Sequence, residues 1–281
     1  MLLDFLDGYY QAKLHNIHDI AGNQHLVGYS ELHKCNLFVK IFKNEEMFYA
    51  EQHVNQVYCP EIYLDSVIFE NNYIVVLKDR TLKDIDSNEN EVTLKRAKKY
   101  GRLLADFHEQ VTGNVRVYEN PQKLSLQIKR YVEILQDSPY KDDINKIYAL
   151  LTQDLANADQ DYELLPKVVL HGDYSLRNIK HYQNKEILID FERAHIGVAY
   201  EDFIKIFYNE IHNIELRQAF IKGYRANREF EVPQFELQRC LLFLIALEIC
   251  EFHMSHHEEK FGDMAHRMLE TIELGDSVLN I

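Results

Sequence analysis

The sequence predicts an α+β chain in two lobes, a small antiparallel sheet with one inserted helix followed by a larger, mostly helical part. Three observations carry this expectation. Residues 17–76 read as short β-rich runs separated by turn residues. Beyond Arg80 the apolar residues change to helical spacing, and one strand pair returns inside that helical part, between residues 167 and 190.

Taken in order, the runs 25–29, 37–42, 61–69 and 73–77 are rich in β-branched and aromatic residues, and Asn71-Asn72 supplies a turn before the last of them. Asn44 followed by Glu45 and Glu46 is a helix start, an N-cap and an acidic first turn that suits the helix dipole. Met47, Ala50, Val54 and Val57 then recur at helical spacing, so a helix sits inside the sheet-rich half. Over residues 92–111, Leu94, Ala97, Tyr100, Gly101, Leu104, Ala105 and His108 share one stripe, and Gly101 marks a close helix approach. Helices are expected over 123–135 and about 143–155, with Ser138-Pro139 between them. Strands follow at 167–170 and 186–190 and bracket a loop opening at His171; the remainder is helical, including 203–208, 215–224 and 234–253. The lobes are expected to join near Lys78 to Lys83.

Composition narrows the function classes. The chain has 281 residues, 46% of them apolar, and a formal charge of −14, which disfavours a broad basic surface for nucleic acid or anionic lipid and suits cationic or metal-complexed ligands. Cys35, Cys59, Cys240 and Cys250 form no Cys-x-x-Cys pair and no signal peptide is recognisable, so a reduced, cytoplasmic setting is expected. The longest apolar run, 241–247, stops at Glu248, short of the roughly 20 residues that span a bilayer.

The chemistry concentrates in His171-Gly172-Asp173-Tyr174-Ser175-Leu176-Arg177-Asn178, followed by Ile187-Leu188-Ile189-Asp190-Phe191-Glu192. A hairpin turning near residues 183–185 brings Asp173, Asn178 and Asp190 together. Phosphoryl transfer needs such a set: a carboxylate to orient the attacking hydroxyl and hard oxygen donors for Mg²⁺, which takes few protein ligands. A metallohydrolase would call for more histidines or carboxylates closing on two metals. Phe38-Val39-Lys40-Ile41-Phe42 buries a lysine in an apolar strand, where it needs a partner.

His-Gly-Asp-x-x-x-x-Asn with Asp-Phe-Glu resembles the catalytic segment shared by aminoglycoside phosphotransferases, choline kinases and related small-molecule kinases. The resemblance runs over about residues 17–209 and implies a bilobal protein-kinase-like fold, with residues 1–79 as the nucleotide-binding lobe and 80–281 as the helical lobe holding the catalytic loop and acceptor site. It implies ATP and Mg²⁺ as cofactors, Asp173 as the catalytic carboxylate, Asn178 and Asp190 as metal ligands, and Lys40 held on the phosphates by Glu51, with Glu45 and Glu46 as weaker alternatives. Gly22, in the stretch Ala21 to His25, stands where a phosphate loop belongs, although no Gly-x-Gly-x-x-Gly is present and a plain hairpin glycine is the other reading. The adenine-binding hinge should follow Lys78, and Asp202 reads as structural. His253, His256 and His257 lack the His-Glu-x-x-His order and read as a polar helix end.

The expected activity is phosphorylation of a hydroxyl on a small cationic molecule such as an aminoglycoside, amino sugar or choline-like alcohol, with neither nucleic acid nor membrane as partner. The alternative is a catalytically silent nucleotide-binding module that holds a partner. Retention of Lys40, Asp173, Asn178 and Asp190 together favours the enzyme.

Overall fold

The computed structural model describes residues 1–20, 23–85, 92–112 and 115–276. The chain opens with α1 (Leu2–Tyr10), β1 (His15–Ile20), β2 (Asn23–Ser30) and β3 (Cys35–Phe42), then α2 (Glu45–Tyr58), β4 (Tyr63–Phe69) and β5 (Asn72–Lys78). The five strands form one antiparallel sheet in the order β1-β2-β3-β5-β4. Strand period explains how this sheet is used. Leu37, Val39 and Ile41 of β3 with Ile74 and Val76 of β5 face α1, where they bury Leu6 and Tyr10. Phe42, Val75 and Leu77 lie on the other face with Phe48 of α2. Lys40 therefore belongs to the face that α2 covers, and because β3 is an interior strand its ammonium is buried between the sheet and that helix.

The Asn44 cap forms as the sequence predicts, its side chain accepting from the backbone N–H of Glu46 at 2.8 Å and of Met47 at 3.0 Å. The predicted apolar stripe holds for Ala50 and Val54, which are buried, whereas Val57 is exposed.

The rest of the chain is β6 (Lys83–Asp84), α3 (Leu94–Gln110), β7 (Tyr118–Glu119), α4 (Leu124–Ile134), α5 (Lys141–Leu151), α6 (Leu155–Leu164), β8 (Lys167–Leu170), β9 (Ile179–Tyr182), β10 (Lys185–Leu188), β11 (His195–Val198), α7 (Tyr200–Asn209), α8 (Ile214–Tyr224), α9 (Phe235–His256) and α10 (Glu259–Glu273). The second expected strand is corrected here. It ends at Leu188 and pairs with β9, while β8 pairs with β11. Gln183 and Asn184 turn the β9–β10 hairpin, both with positive φ.

The core of this part is continuous through α3, α7, α8 and α9, and α9 is buried from Leu237 to Leu247. Gly101 and Gly223 explain how α3 and α8 approach. A Cβ on Gly101 would stand 1.9 Å from the Phe220 carbonyl oxygen, and one on Gly223 would stand 1.9 Å from that of Lys98. No helix among the described residues is long and apolar enough to cross a membrane.

Candidate functional site

Lys40 is 4% exposed and sits in a ring of acids. Its Nζ lies 3.1 Å from Glu51 Oε1, 2.6 Å from Asp190 Oδ1 and 3.4 Å from Glu192 Oε2. Glu51 reaches it from α2, and the Oε2 of Glu51 accepts the backbone N–H of Phe191 at 2.7 Å. One carboxylate thus fastens both the lysine of β3 and the Asp-Phe-Glu segment. Glu45, one of the alternatives for this role, instead pairs with Arg116 at 3.2 Å. Burial alone would lower the Lys40 ammonium, but the three carboxylates outweigh it and raise it, so Lys40 stays charged. Burial pushes Glu51 and Glu192 above the usual carboxylate range, whereas Lys40 overcomes burial at Asp190 and draws it down to about 2. A single cation among three acids leaves the cluster short of positive charge.

The His171 loop is built on Asp202, which confirms that residue as structural. The buried Asp202 carboxylate accepts the backbone N–H of His171 at 2.7 Å and of Gly172 at 2.9 Å, and contacts His108 Nε2 at 3.0 Å. Burial lowers the His108 pKa, so the ring is neutral at pH 7, donating from Nε2 while Nδ1 accepts from the Tyr224 hydroxyl at 2.8 Å. Gly172 has φ +77°, and a Cβ there would fall 2.0 Å from the Arg193 carbonyl oxygen, so no other residue fits. His171 ties the loop to the Asp190 segment. Its Nδ1 accepts from Asp173 N at 3.3 Å and its Nε2 donates to Ile189 O at 3.1 Å.

With the loop held, three of the expected site residues converge. The Asn178 amide nitrogen donates to Asp173 O at 2.9 Å and Asp173 Oδ2 at 3.2 Å, which leaves Oδ1 of Asn178 for another partner. Asn178 also accepts Ile189 N at 3.0 Å through its backbone, putting Asn178 and Asp190 side by side. Asp190 itself has φ 71°, a conformation that L residues avoid, and it presents a carboxylate whose side chain is 38% exposed. Asp173 meets cations instead. Arg177 lies 2.5 Å from Oδ2, and Lys205 donates to Gly172 O at 3.0 Å. Burial would raise Asp173, but Lys205 and Arg177 outweigh it and hold the carboxyl below its ordinary range.

All four groups line one cleft of about 1050 Å³ between the sheet and the helical part. Leu77 to Leu82, where the hinge is expected, line it together with Phe38, Ile62 and Leu188. Glu210, Glu248, Glu258, Phe252 and Phe261 line the same cleft. Gly22 lies outside the described residues. Three contributors escape the sequence reading: Glu192, which contacts Lys40 and the Asn23 amide; Lys205; and Glu210, whose carboxyl burial lifts to about 8. The spacing of Lys205, one helical turn after Asp202, is the signal that could have found it. His253 bonds the Tyr140 hydroxyl at 2.7 Å, and no group of three His, Cys, Asp or Glu among the described residues forms a closed metal centre.

A model of the phosphotransferase enzyme family matches residues 41–235. No curated protein matches the sequence. Among solved structures, Plasmodium vivax ethanolamine kinase is similar at a TM-score of 0.64 and 15% identity, over 96% of this chain and 83% of its own. Amicoumacin kinase, solved with AMP-PNP and Ca²⁺, gives 0.62 and 14% over 95% and 90%. Spectinomycin phosphotransferase APH(9)-Ia, solved with ADP, gives 0.62 and 13% over 99% and 95%. At such identities the likeness speaks for the fold, which is the bilobal kinase-like α+β arrangement expected from the sequence.

Proposed function

The chain belongs to the phosphotransferase enzyme family, and from that premise we propose that it transfers the γ-phosphoryl group of ATP, with Mg²⁺, to a hydroxyl of a small cationic molecule. The observation that carries this reading is the joint placement of Lys40, Asp173, Asn178 and Asp190 on one cleft. Residues 1–79 serve as the nucleotide lobe and 80–281 carry the catalytic loop and acceptor site.

Lys40, anchored by Glu51, positions the nucleotide phosphates. The Asn178 side-chain oxygen and the Asp190 carboxylate are the hard donors that suit Mg²⁺, and the surplus of negative charge around Lys40 fits a site completed by a cation. Bound there, Mg²⁺ would neutralise phosphate charge. Asp173 accepts a hydrogen bond from the acceptor hydroxyl and aims its oxygen at the γ-phosphorus. As the new P–O bond forms and the bond to the ADP oxygen breaks, the hydroxyl proton passes to Asp173. A carboxyl held below its usual range is a weak base, so its main contribution is orientation, in keeping with a transition state in which the hydroxyl loses its proton late.

Glu248 and Glu258 beside Phe252 and Phe261 offer charge and aromatic faces to an amine or quaternary ammonium, as the net charge of −14 also does. Aminoglycosides, amino sugars and choline-like alcohols share that chemistry. ATP consumption across a panel of aminoglycosides, choline, ethanolamine and neutral sugar alcohols tests the proposal. Turnover with a cationic alcohol is expected; turnover confined to the neutral polyols would contradict the acceptor class.

A further inference from the structure

Glu51 can hold Lys40 only while α2 keeps its place, and α2 is gripped from outside by a residue that neither the catalytic segment nor the nucleotide cleft contains. Glu45, Tyr49 and His53 stand four residues apart and so form one line along α2. Arg116 engages all three. Its guanidinium stacks 3.5 Å above the Tyr49 ring and pairs with Glu45 Oε1 at 3.2 Å, and its backbone N–H donates to His53 Nδ1 at 2.9 Å. Burial and the Arg116 charge both lower the His53 pKa, which keeps that nitrogen an acceptor.

The other end of the same segment is tied to the metal side. Two residues after Arg116, β7 pairs in parallel with β11, Tyr118 opposite His195 and Glu119 opposite Ile196. β11 begins three residues after Glu192, the last of the three acids on Lys40. Residues 115–119 thus bridge α2, which carries Glu51, and the strand that follows the Asp190 segment.

We propose that residues 115–119 act as a strap setting the position of α2, and that Arg116 is a positioning residue which acts on phosphate binding through the Lys40–Glu51 pair. The inference rests on the reading of Lys40 and Asp190 as the phosphate end of the cleft. Without the Arg116 side chain, α2 loses the pair with Glu45 and the stack on Tyr49 and keeps from the strap the backbone bond to His53, so the population with Glu51 against Lys40 falls.

Hydrogen exchange of α2 amides and calorimetry of Mg-AMP-PNP binding test this on the full chain. Arg116→Ala should speed exchange over residues 45–55 selectively, leave α9 as protected as in the wild type, and weaken Mg-AMP-PNP binding by about tenfold, the combined scale of one cation–π contact and one exposed ion pair. Arg116→Lys keeps the ion pair but loses the stacked plane and should fall between the two. Unchanged α2 exchange in both variants would overturn the strap. Faster exchange spread evenly through the chain would overturn it too, because Arg116 would then be a general stabiliser. Failure of the wild type to bind Mg-AMP-PNP would count against the kinase reading alone, and the exchange pattern would still decide the strap.

Discussion

The two ends of the reactive cleft have opposite electrostatics. Around Lys40, one ammonium faces Glu51, Asp190 and Glu192, whereas Asp173 faces Arg177 and the Lys205 field. The acid-rich end has one cation for three acids, which on the proposed reading suits a metal-bound polyphosphate. The cation-rich end keeps the Asp173 carboxylate ionised, which on the proposed reading leaves it able to accept a hydrogen bond from a neutral hydroxyl. The same residue type does different work according to what surrounds it. Asp190 and Asp173 are both lowered, the first by Lys40, which Glu51 and Glu192 also draw on, and the second by Lys205 and Arg177.

The largest effect is expected from removing Asp173. Asp173→Ala should reduce turnover by about 10²–10⁴ while leaving Mg-nucleotide affinity near that of the wild type, as steady-state rates and calorimetry would report. Turnover above about a hundredth of wild type would mean that another group orients the hydroxyl.

At the opposite end, Lys40→Ala leaves three carboxylates facing one another. We expect most activity to be lost, with destabilisation of about 3–5 kcal/mol in urea melts. A double-mutant cycle with Glu51→Ala sharpens the picture. Adding Glu51→Ala should cost much less than it does alone, because its repulsion from Asp190 and Glu192 disappears with it. A residue of about 1–2 kcal/mol should persist, since Glu51 also holds the Phe191 N–H. Full additivity would mean that the two act separately.

A smaller effect belongs to Glu210, at the Asp173 end. Its folded pKa of about 8 lies above the ordinary value of 4.5, so the native state keeps this proton longer than the unfolded chain does. Stability should therefore fall as pH rises from about 4.5 through about 8, by on the order of 2 kcal/mol after solvent screening. Glu210→Gln should flatten that slope in melts run across this window. An unchanged slope would show that Glu210 is already ionised near neutrality.

How much of this was legible in the sequence follows from which interactions are local. The Asp173–Asn178 pair and the β9–β10 hairpin lie within a few residues of one another, so spacing alone anticipates them. Lys40 was readable as a charge in an apolar strand, and Glu51 as a residue on the helix after it, although its second bond, to Phe191 N, spans 140 residues and left no trace in the sequence. The helix α1 went unseen because its partner face on β3 and β5 shows only as alternation shared with the opposite face. Likewise α6 is packed against α4 and α9 rather than signalled by a strong cap of its own, and no side chain caps its N-terminus. Glu192 looked like one more acid after Asp190; only the fold brings it to Lys40 and Asn23.

On the proposed reading, metal and phosphate bind at the acid-rich end while the hydroxyl is handled at the other. Calorimetric titration of AMP-PNP, with and without Mg²⁺, into wild type, Asp190→Asn and Asp173→Ala tests it most directly. We predict that Mg²⁺ strengthens binding to wild type and Asp173→Ala alike, and that Asp190→Asn loses most of that gain, because an amide supplies oxygen without charge. Equal Mg²⁺ dependence in wild type and Asp190→Asn, or its loss in Asp173→Ala, would contradict the division.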